Sequence, residues 1–223
     1  MLTYFFKVNS NRVITLENQG NRKEKKEMNT AQPIRSREEL EKMKVYYRYH
    51  YPSPRNELLL VIGLNTALRI SDVLSLRWQD VYDFERKDFR EHICITEKKT
   101  GKFSSIYMNS AIRNELKTYQ RWLKKKGETI SQEKYLFCHQ KENVPISRVQ
   151  AFRIIKKAAD YNQIEGVISC HSLRKSFGNH AWKQGISPVL LMKIYNHSSF
   201  QVTQRYLGIE QDDRDEVFQK IHL

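Results

Sequence analysis

The sequence predicts an α+β domain, mainly helical with a small antiparallel β-sheet. Three observations carry that prediction. Apolar residues recur at helical spacing on both sides of one short segment. Within that segment, Glu91 to Asn109, the period drops to two, as a half-buried strand requires. Capping and stop residues stand where the helical stretches begin and end.

Taken in order, residues 1–35 read as a basic N-terminal arm, flexible or loosely attached. They hold seven Lys or Arg against three Glu and too little apolar material for a core of their own. An ordinary disordered terminus would have the same composition. The body, residues 36–223, opens at Ser36, which can cap a helix with Glu39 three residues on. Pro54 sits near the start of a second helix carrying Leu58, Leu59, Val61, Ile62 and the apolar run on to Leu68. A short helix follows through Ile70, Val73, Leu74 and Leu76, with Ser71 or Asp72 as its cap. Ile93 and Ile95 alternate with polar neighbours, then Lys98-Lys99-Thr100-Gly101-Lys102 interrupts, then Phe103 to Met108 resumes. That is a β-hairpin whose turn carries three lysines. Helical spacing returns at Ala111–Lys125, Arg148–Tyr161, Ser172–Gln184, Pro188–Tyr195 and Ser199–Leu207, and Tyr135–Cys138 reads as a short strand. Ser198 or Ser199 can cap the last of these helices and Gly208 can stop it. Acidic residues ahead of Val217, Phe218 and Ile221 then suggest one more short helix.

Composition narrows the function classes. Lys and Arg number 39 against 25 Asp and Glu, a net charge of +14, which favours a polyanionic partner through counterion release. Three cysteines (Cys94, Cys138, Cys170) form no Cys-x-x-Cys pair, so a disulfide framework is not expected and a reducing cytoplasm fits. Cys138-His139 and Cys170-His171 lack tetrahedral zinc spacing. Residues Met1 to Phe6 have no basic leader or cleavage site, and Leu58–Leu64 falls far short of the ~20 apolar residues of a membrane span. No membrane partner is expected.

Four separated segments carry residues suited to phosphate chemistry, and each also has a purely structural reading. In Thr66-Ala67-Leu68-Arg69-Ile70-Ser71-Asp72, Arg69 is either a loop brace or a planar fork for a phosphate. Lys98, Lys99 and Lys102 are either a solvated turn or a source of a proton for a leaving alkoxide. In His171-Ser172-Leu173-Arg174-Lys175, the first and fourth residues share one face at a helix start, where anions are favoured, or they are a cap and a surface charge. In Asn196-His197-Ser198-Ser199 through Gln204-Arg205-Tyr206-Leu207, Tyr206 is either a core aromatic or a nucleophile.

The order of these segments resembles the tyrosine recombinase, or phage integrase, family: Arg, hairpin Lys, His-x-x-Arg, His, then Tyr nine residues later. The likeness spans about residues 36–223 and implies that family's catalytic-domain fold. It implies that Tyr206 attacks a DNA phosphate and leaves a 3′-phosphotyrosine with a free 5′-hydroxyl. Arg69 and Arg174 would hold the nonbridging oxygens, Lys99 would protonate the leaving oxygen, His171 would take the phenol proton and His197 would hydrogen-bond the phosphate. Such chemistry uses neither metal nor ATP, so no cofactor is expected, and no Gly-Lys-Ser/Thr phosphate loop is present. The implied partners are double-stranded DNA and further copies of the chain, as a tetramer on paired DNA sites. A DNA-binding accessory without turnover and a type IB topoisomerase-like relaxing activity are the competing readings.

The sequence departs from the family pattern at Asn196, where Gly is usual, and at Lys175, where many relatives have a second His. Lys99 fits the Lys-Thr-Gly pattern best, with Lys98 and Lys102 as neighbours. Family members normally carry an N-terminal helical DNA-clamping domain of roughly a hundred residues. Residues 1–35 are too short for it, so the chain is expected to be a catalytic-domain-only member, a truncated or decayed gene product, or a fragment.

Overall fold

The computed structural model describes residues 30–139, 142–207 and 218–221. Helix α1 (Arg37–Val45) starts where the sequence places it: Ser36 Oγ accepts from the Glu39 amide at 3.2 Å, and acidic residues at the first turn and lysines at the last complement the helix dipole. It widens into a π-helical turn, Tyr46–His50. The adjacent Tyr46 and Tyr47 are both buried, an arrangement that 100° per residue does not favour, and their rings meet edge-on at 4.9 Å.

Helix α2 (Pro54–Asn65), with Pro at its first turn, is buried at every position from Asn56 to Gly63. It is apolar on several faces because helices pack on several sides of it. On one side lie Trp78, Ile112, Leu116 and Phe137; on the other, Met43, Tyr47, Ile155 and Leu173. Gly63 permits the close approach of Leu173, since a Cβ there would stand 2.6 Å from Leu173 Cδ1. The helix stops at Asn65 rather than continuing towards Leu68, as Thr66 Oγ1 donates back to the Ile62 carbonyl at 2.8 Å and Ala67 turns left-handed, φ +56°.

Two single-turn helices follow, α3 (Ile70–Val73) and α4 (Trp78–Val81). The N-cap of α3 is Arg69, not Ser71 or Asp72, and its side chain does not cap the helix. Strands β1 (Tyr82–Asp83) and β2 (Asp88–Phe89) make a second antiparallel sheet, too short to register as an alternating pattern. The expected hairpin is β3 (His92–Thr96) and β4 (Phe103–Tyr107), in register from His92↔Tyr107 to Thr96↔Phe103. Helix α5 (Ser110–Lys125) is capped by Asn109, and α6 (Arg148–Tyr161) by reciprocal Ser147 and Gln150 contacts. Tyr135–Cys138 is not a strand: it makes isolated bridges, Arg77↔Tyr135 and Cys138↔Pro145, on opposite sides of one buried turn. Helices α7 (Cys170–Lys183), α8 (Pro188–Ile194) and α9 (Phe200–Leu207) complete the body.

The last residues of the predicted arm are stitched to this body. The Ile34 amide donates to Ser176 Oγ at 2.8 Å and its side chain is buried, while the Gln32 amide donates to the Val167 carbonyl at 3.0 Å. The Gly208 stop and most of the acidic segment lie outside the described residues. Residues 218–220 form a helical turn.

Candidate active site

The turn after α2 places the first candidate. Ala67 adopts its left-handed conformation while buried, sending its carbonyl inward and delivering Arg69 to the start of α3. Arg174 approaches the same carbonyl from α7. Its guanidinium donates to the Ala67 carbonyl and, at 2.8 Å, to the Tyr195 carbonyl, and the residue is only 2% exposed. Nε of Arg174 is buried with no partner among the described residues. Burial first, then the charge of Arg69, depresses the Arg174 pKa, so the two guanidiniums lie close enough to repel.

Tyr195 holds this arrangement from below. Its ring lies under the Arg174 guanidinium at 4.7 Å, and its hydroxyl donates to the Arg174 carbonyl at 2.7 Å. The approach depends on Gly178 in α7, where a Cβ would stand 2.9 Å from Tyr195 Cζ and closer still to the hydroxyl. Gly178→Ala should therefore displace Tyr195 and with it an anchor of Arg174. The expected outcome is a loss of about 1–3 kcal/mol in urea unfolding, as for overpacked cores.

The hairpin brings the lysines over this floor. Its turn is locked by two carboxylates whose role the sequence did not announce. Glu97, 2% exposed, pairs with Arg69 Nη1 and accepts from Ser104 Oγ at 2.9 Å, Thr100 Oγ1 at 3.3 Å and Asn196 Nδ2 at 2.5 Å. These partners hold its carboxyl below the usual range despite burial. Asp72, fully buried within α3 and past its N-cap position, accepts from the Lys98 amide at 3.0 Å. Lys99 is exposed at the turn, and its charge acts on both His171 and His197.

His197 follows Asn196, whose φ of +54° lies in the left-handed region that Asn tolerates better than most side chains. Its Nδ1 lies 3.1 Å from Thr203 Oγ1 and its ring stacks on Tyr195 at 5.0 Å. Tyr206, on α9, is half-buried: its ring meets His197 edge-on at 4.7 Å and its hydroxyl lies 3.4 Å from His171 Nδ1. The ammonium of Lys175 lies 5.7 Å from the same ring. The structure thus brings Arg69, His171, Arg174, His197 and Tyr206 together with the lysine turn above them, and Tyr206 is not sealed in the core.

Both histidines have lowered pKa values. For His197 burial leads, aided by Arg174 and Arg69, and brings it to about 4; for His171, burial leads, followed by Arg174, Lys175, Arg69 and Lys99. Both rings are neutral near pH 7, as a proton acceptor must be. Because the folded pKa of His197 lies below its unfolded value of 6.5, the unfolded chain binds more protons between these limits. This contribution to stability is complete above pH 6.5 and is lost as pH falls towards 4. Thermal melts from pH 7 to 4.5 should fall more steeply for the wild type than for His197→Asn.

Among the described residues no cluster of three or more His, Cys, Asp or Glu is placed to hold a metal. Burial raises the thiols of Cys138 and Cys170, the latter to about 11, which disfavours the thiolates that a metal or a redox reaction would use. Sequence reasoning missed Glu97, Asp72 and Tyr195. The family resemblance marks Asn196 as a departure from Gly, and its side-chain link to Glu97 is read only from the fold.

The profile of the phage integrase family matches residues 36–212. The probable integrase/recombinase YoeC of Bacillus subtilis is 36% identical over 185 residues, covering 83% of this chain and 93% of that protein. Tyrosine recombinase XerA of Pyrococcus furiosus is 26% identical over 172 residues, 76% of this chain but 55% of its own length, so the chain spans about half of that relative. Among solved structures, XerA recombinase superposes with a TM-score of 0.68 at 19% identity, covering 87% of this chain and 68% of that one. XerH recombinase bound to its palindromic difH substrate gives 0.68 at 20% identity, covering 83% and 51%. Those structures share the fold, and no helix among the described residues is long and apolar enough to cross a membrane. With its profile match and its likeness to YoeC, the chain belongs to the phage integrase family of site-specific tyrosine recombinases, an enzyme class that cleaves and rejoins DNA.

Proposed function

We propose that this chain breaks and rejoins double-stranded DNA through a 3′-phosphotyrosine on Tyr206. The observation that carries the reading is the 3.4 Å approach of the Tyr206 hydroxyl to His171 Nδ1 beside two guanidiniums. Tyr206 Oη forms the bond to phosphorus as the bond from phosphorus to the 5′-oxygen breaks. His171, neutral at pH 7, takes the phenol proton, and Lys99 gives one to the leaving oxygen. The charge of Lys99 acts on both histidines. Arg69 and Arg174 take the nonbridging oxygens, and the Nε–H of Arg174, without a partner among the described residues, is a donor that a phosphate oxygen would satisfy. His197, anchored through Nδ1 to Thr203, offers Nε2 to the phosphate. The ester energy stays in the covalent link, so neither ATP nor metal enters the step.

Residues 36–223 form the catalytic body in this reading, and residues 1–35 a basic arm. Phe218 and Ile221, 79% and 59% exposed, support docking of the C-terminal segment on another copy within a tetramer on paired DNA sites. Free cysteines at 94, 138 and 170 fit a cytoplasmic setting.

The test is a library of nicked duplexes with randomised cores, incubated without magnesium and resolved on denaturing gels. A covalent adduct whose modified peptide contains Tyr206 supports the reading. Salt-sensitive binding without any adduct indicates a DNA-binding accessory, and relaxation of supercoiled plasmid without sequence preference indicates a topoisomerase-like activity.

A further inference from the structure

We propose that Glu97 is a positioning residue that couples the hairpin lysine turn to Arg69 and to the Asn196–His197 loop, so that acid, guanidinium and imidazole are set as one unit. The inference rests on the functional reading above. It starts from a buried carboxylate with every acceptor position used. Oε1 accepts from Ser104 and Asn196, and Oε2 from Arg69 and Thr100. A carboxylate has about four lone-pair sites, and here they join three chain segments far apart in sequence. Burying such a charge is unfavourable unless it is fully paired, so the four donors are held as strongly as they hold it.

The same residue shapes the lysine turn through its backbone. Its amide donates to the Lys102 carbonyl at 2.9 Å, and its carbonyl accepts from the Gly101 amide at 2.8 Å, with Gly101 at φ +65°. Lys98 to Gly101 are therefore looped out from one buried anchor, and Lys99 lies within that loop. On the far side, Asn196 has the backbone angle that Gly would supply freely, yet it also gives an amide to Glu97. Gly would keep the turn and lose the link. The Asn at this position and the Glu at the hairpin base thus form a pair, and His197 follows Asn196 directly.

A carboxylate beside Arg69 has a second conceivable effect, opposite in sign: it subtracts positive charge from the phosphate site. If that effect dominated, Glu97 would be a brake. Coupling predicts that removing the carboxylate slows cleavage although the site becomes more positive; a brake predicts acceleration.

Two readouts separate these outcomes in Glu97→Ala, Asn196→Gly and the double variant, with Glu97→Gln, equal in size, as the variant to use if Glu97→Ala fails to fold. The first is native-state trypsin cleavage after Lys98, Lys99 and Lys102, which does not depend on activity. It should rise at least about tenfold in Glu97→Ala as the turn opens locally. The second is single-turnover adduct formation on the nicked-duplex library, expected to fall about ten- to hundredfold with the half-saturating DNA concentration unchanged or lower. The double variant should be little worse than Glu97→Ala alone, because the two residues share one link. Unchanged tryptic susceptibility overturns the coupling whether or not DNA is cleaved, and faster adduct formation overturns it in favour of a brake. If the wild type forms no adduct while the trypsin result holds, the functional reading fails and the coupling stands.

Discussion

Tyr206→Phe should form no covalent DNA adduct, a loss of at least about a thousandfold in capture, while melting within about 0.5 kcal/mol of the wild type. The asymmetry follows from what the hydroxyl does in the folded chain. The ring packs on Tyr195 at 5.4 Å and on His197 at 4.7 Å, contacts that Phe retains. The hydroxyl itself makes a long approach to His171, so little stability is expected to depend on it. Tyr195, whose ring packs on that of Tyr206, is the informative control. Its phenol is fully buried, donates to the Arg174 carbonyl at 2.7 Å, and is pushed by burial far above the ordinary phenol range. Tyr195→Phe should keep adduct formation and lower stability by about 1 kcal/mol, the cost of an ordinary buried hydrogen bond. A persistent adduct in Tyr206→Phe, mapped to Tyr195, would reverse these assignments.

The contrast between these two tyrosines also shows what the sequence could reveal. Tyr206 was legible because its neighbours carry chemistry in a fixed order: Arg69, the lysine turn, His171 with Arg174, then His197. The hairpin was legible because β3 alternates, α1 because Ser36 announces its start, and α6 because apolar residues recur at helical spacing from Arg148 to Tyr161. What failed to show was tertiary. Glu97 stands before two lysines and reads as one more charge of a solvated turn, and only the fold buries it against Arg69 and Asn196. Asp72 reads as a helix cap, but the Lys98 amide, 26 residues away, recruits it. Tyr195 reads as the apolar end of a helix, and its role depends on Gly178 leaving room in a different helix. Chemistry-bearing residues are constrained by reaction geometry and keep recognisable spacing. The groups that support them are constrained only by proximity, which spacing does not encode.

That distinction sharpens the expectation for Arg174, which belongs to both kinds. Arg174→Ala should reduce adduct formation by about a thousandfold at saturating DNA and also lower stability by about 2–4 kcal/mol, since the Ala67 and Tyr195 carbonyls lose a charged donor and a cavity opens beneath Tyr206. Arg69→Ala should match the first effect with a smaller share of the second, because Arg69 is more exposed and its main tie is to Glu97. Relief of the repulsion between the two guanidiniums offsets part of the stability loss in either variant. Arg174→Lys separates charge from shape. An ammonium restores the cation but offers no planar fork, so it cannot hold both carbonyls and still present a donor where Nε lies. Stability should recover in part while cleavage remains severely impaired. Urea melts paired with single-turnover capture measure both quantities on the same protein. Near-wild-type capture by Arg174→Lys would mean that positive charge alone suffices at this position, and the two-pronged grip assigned to Arg174 would have to be abandoned.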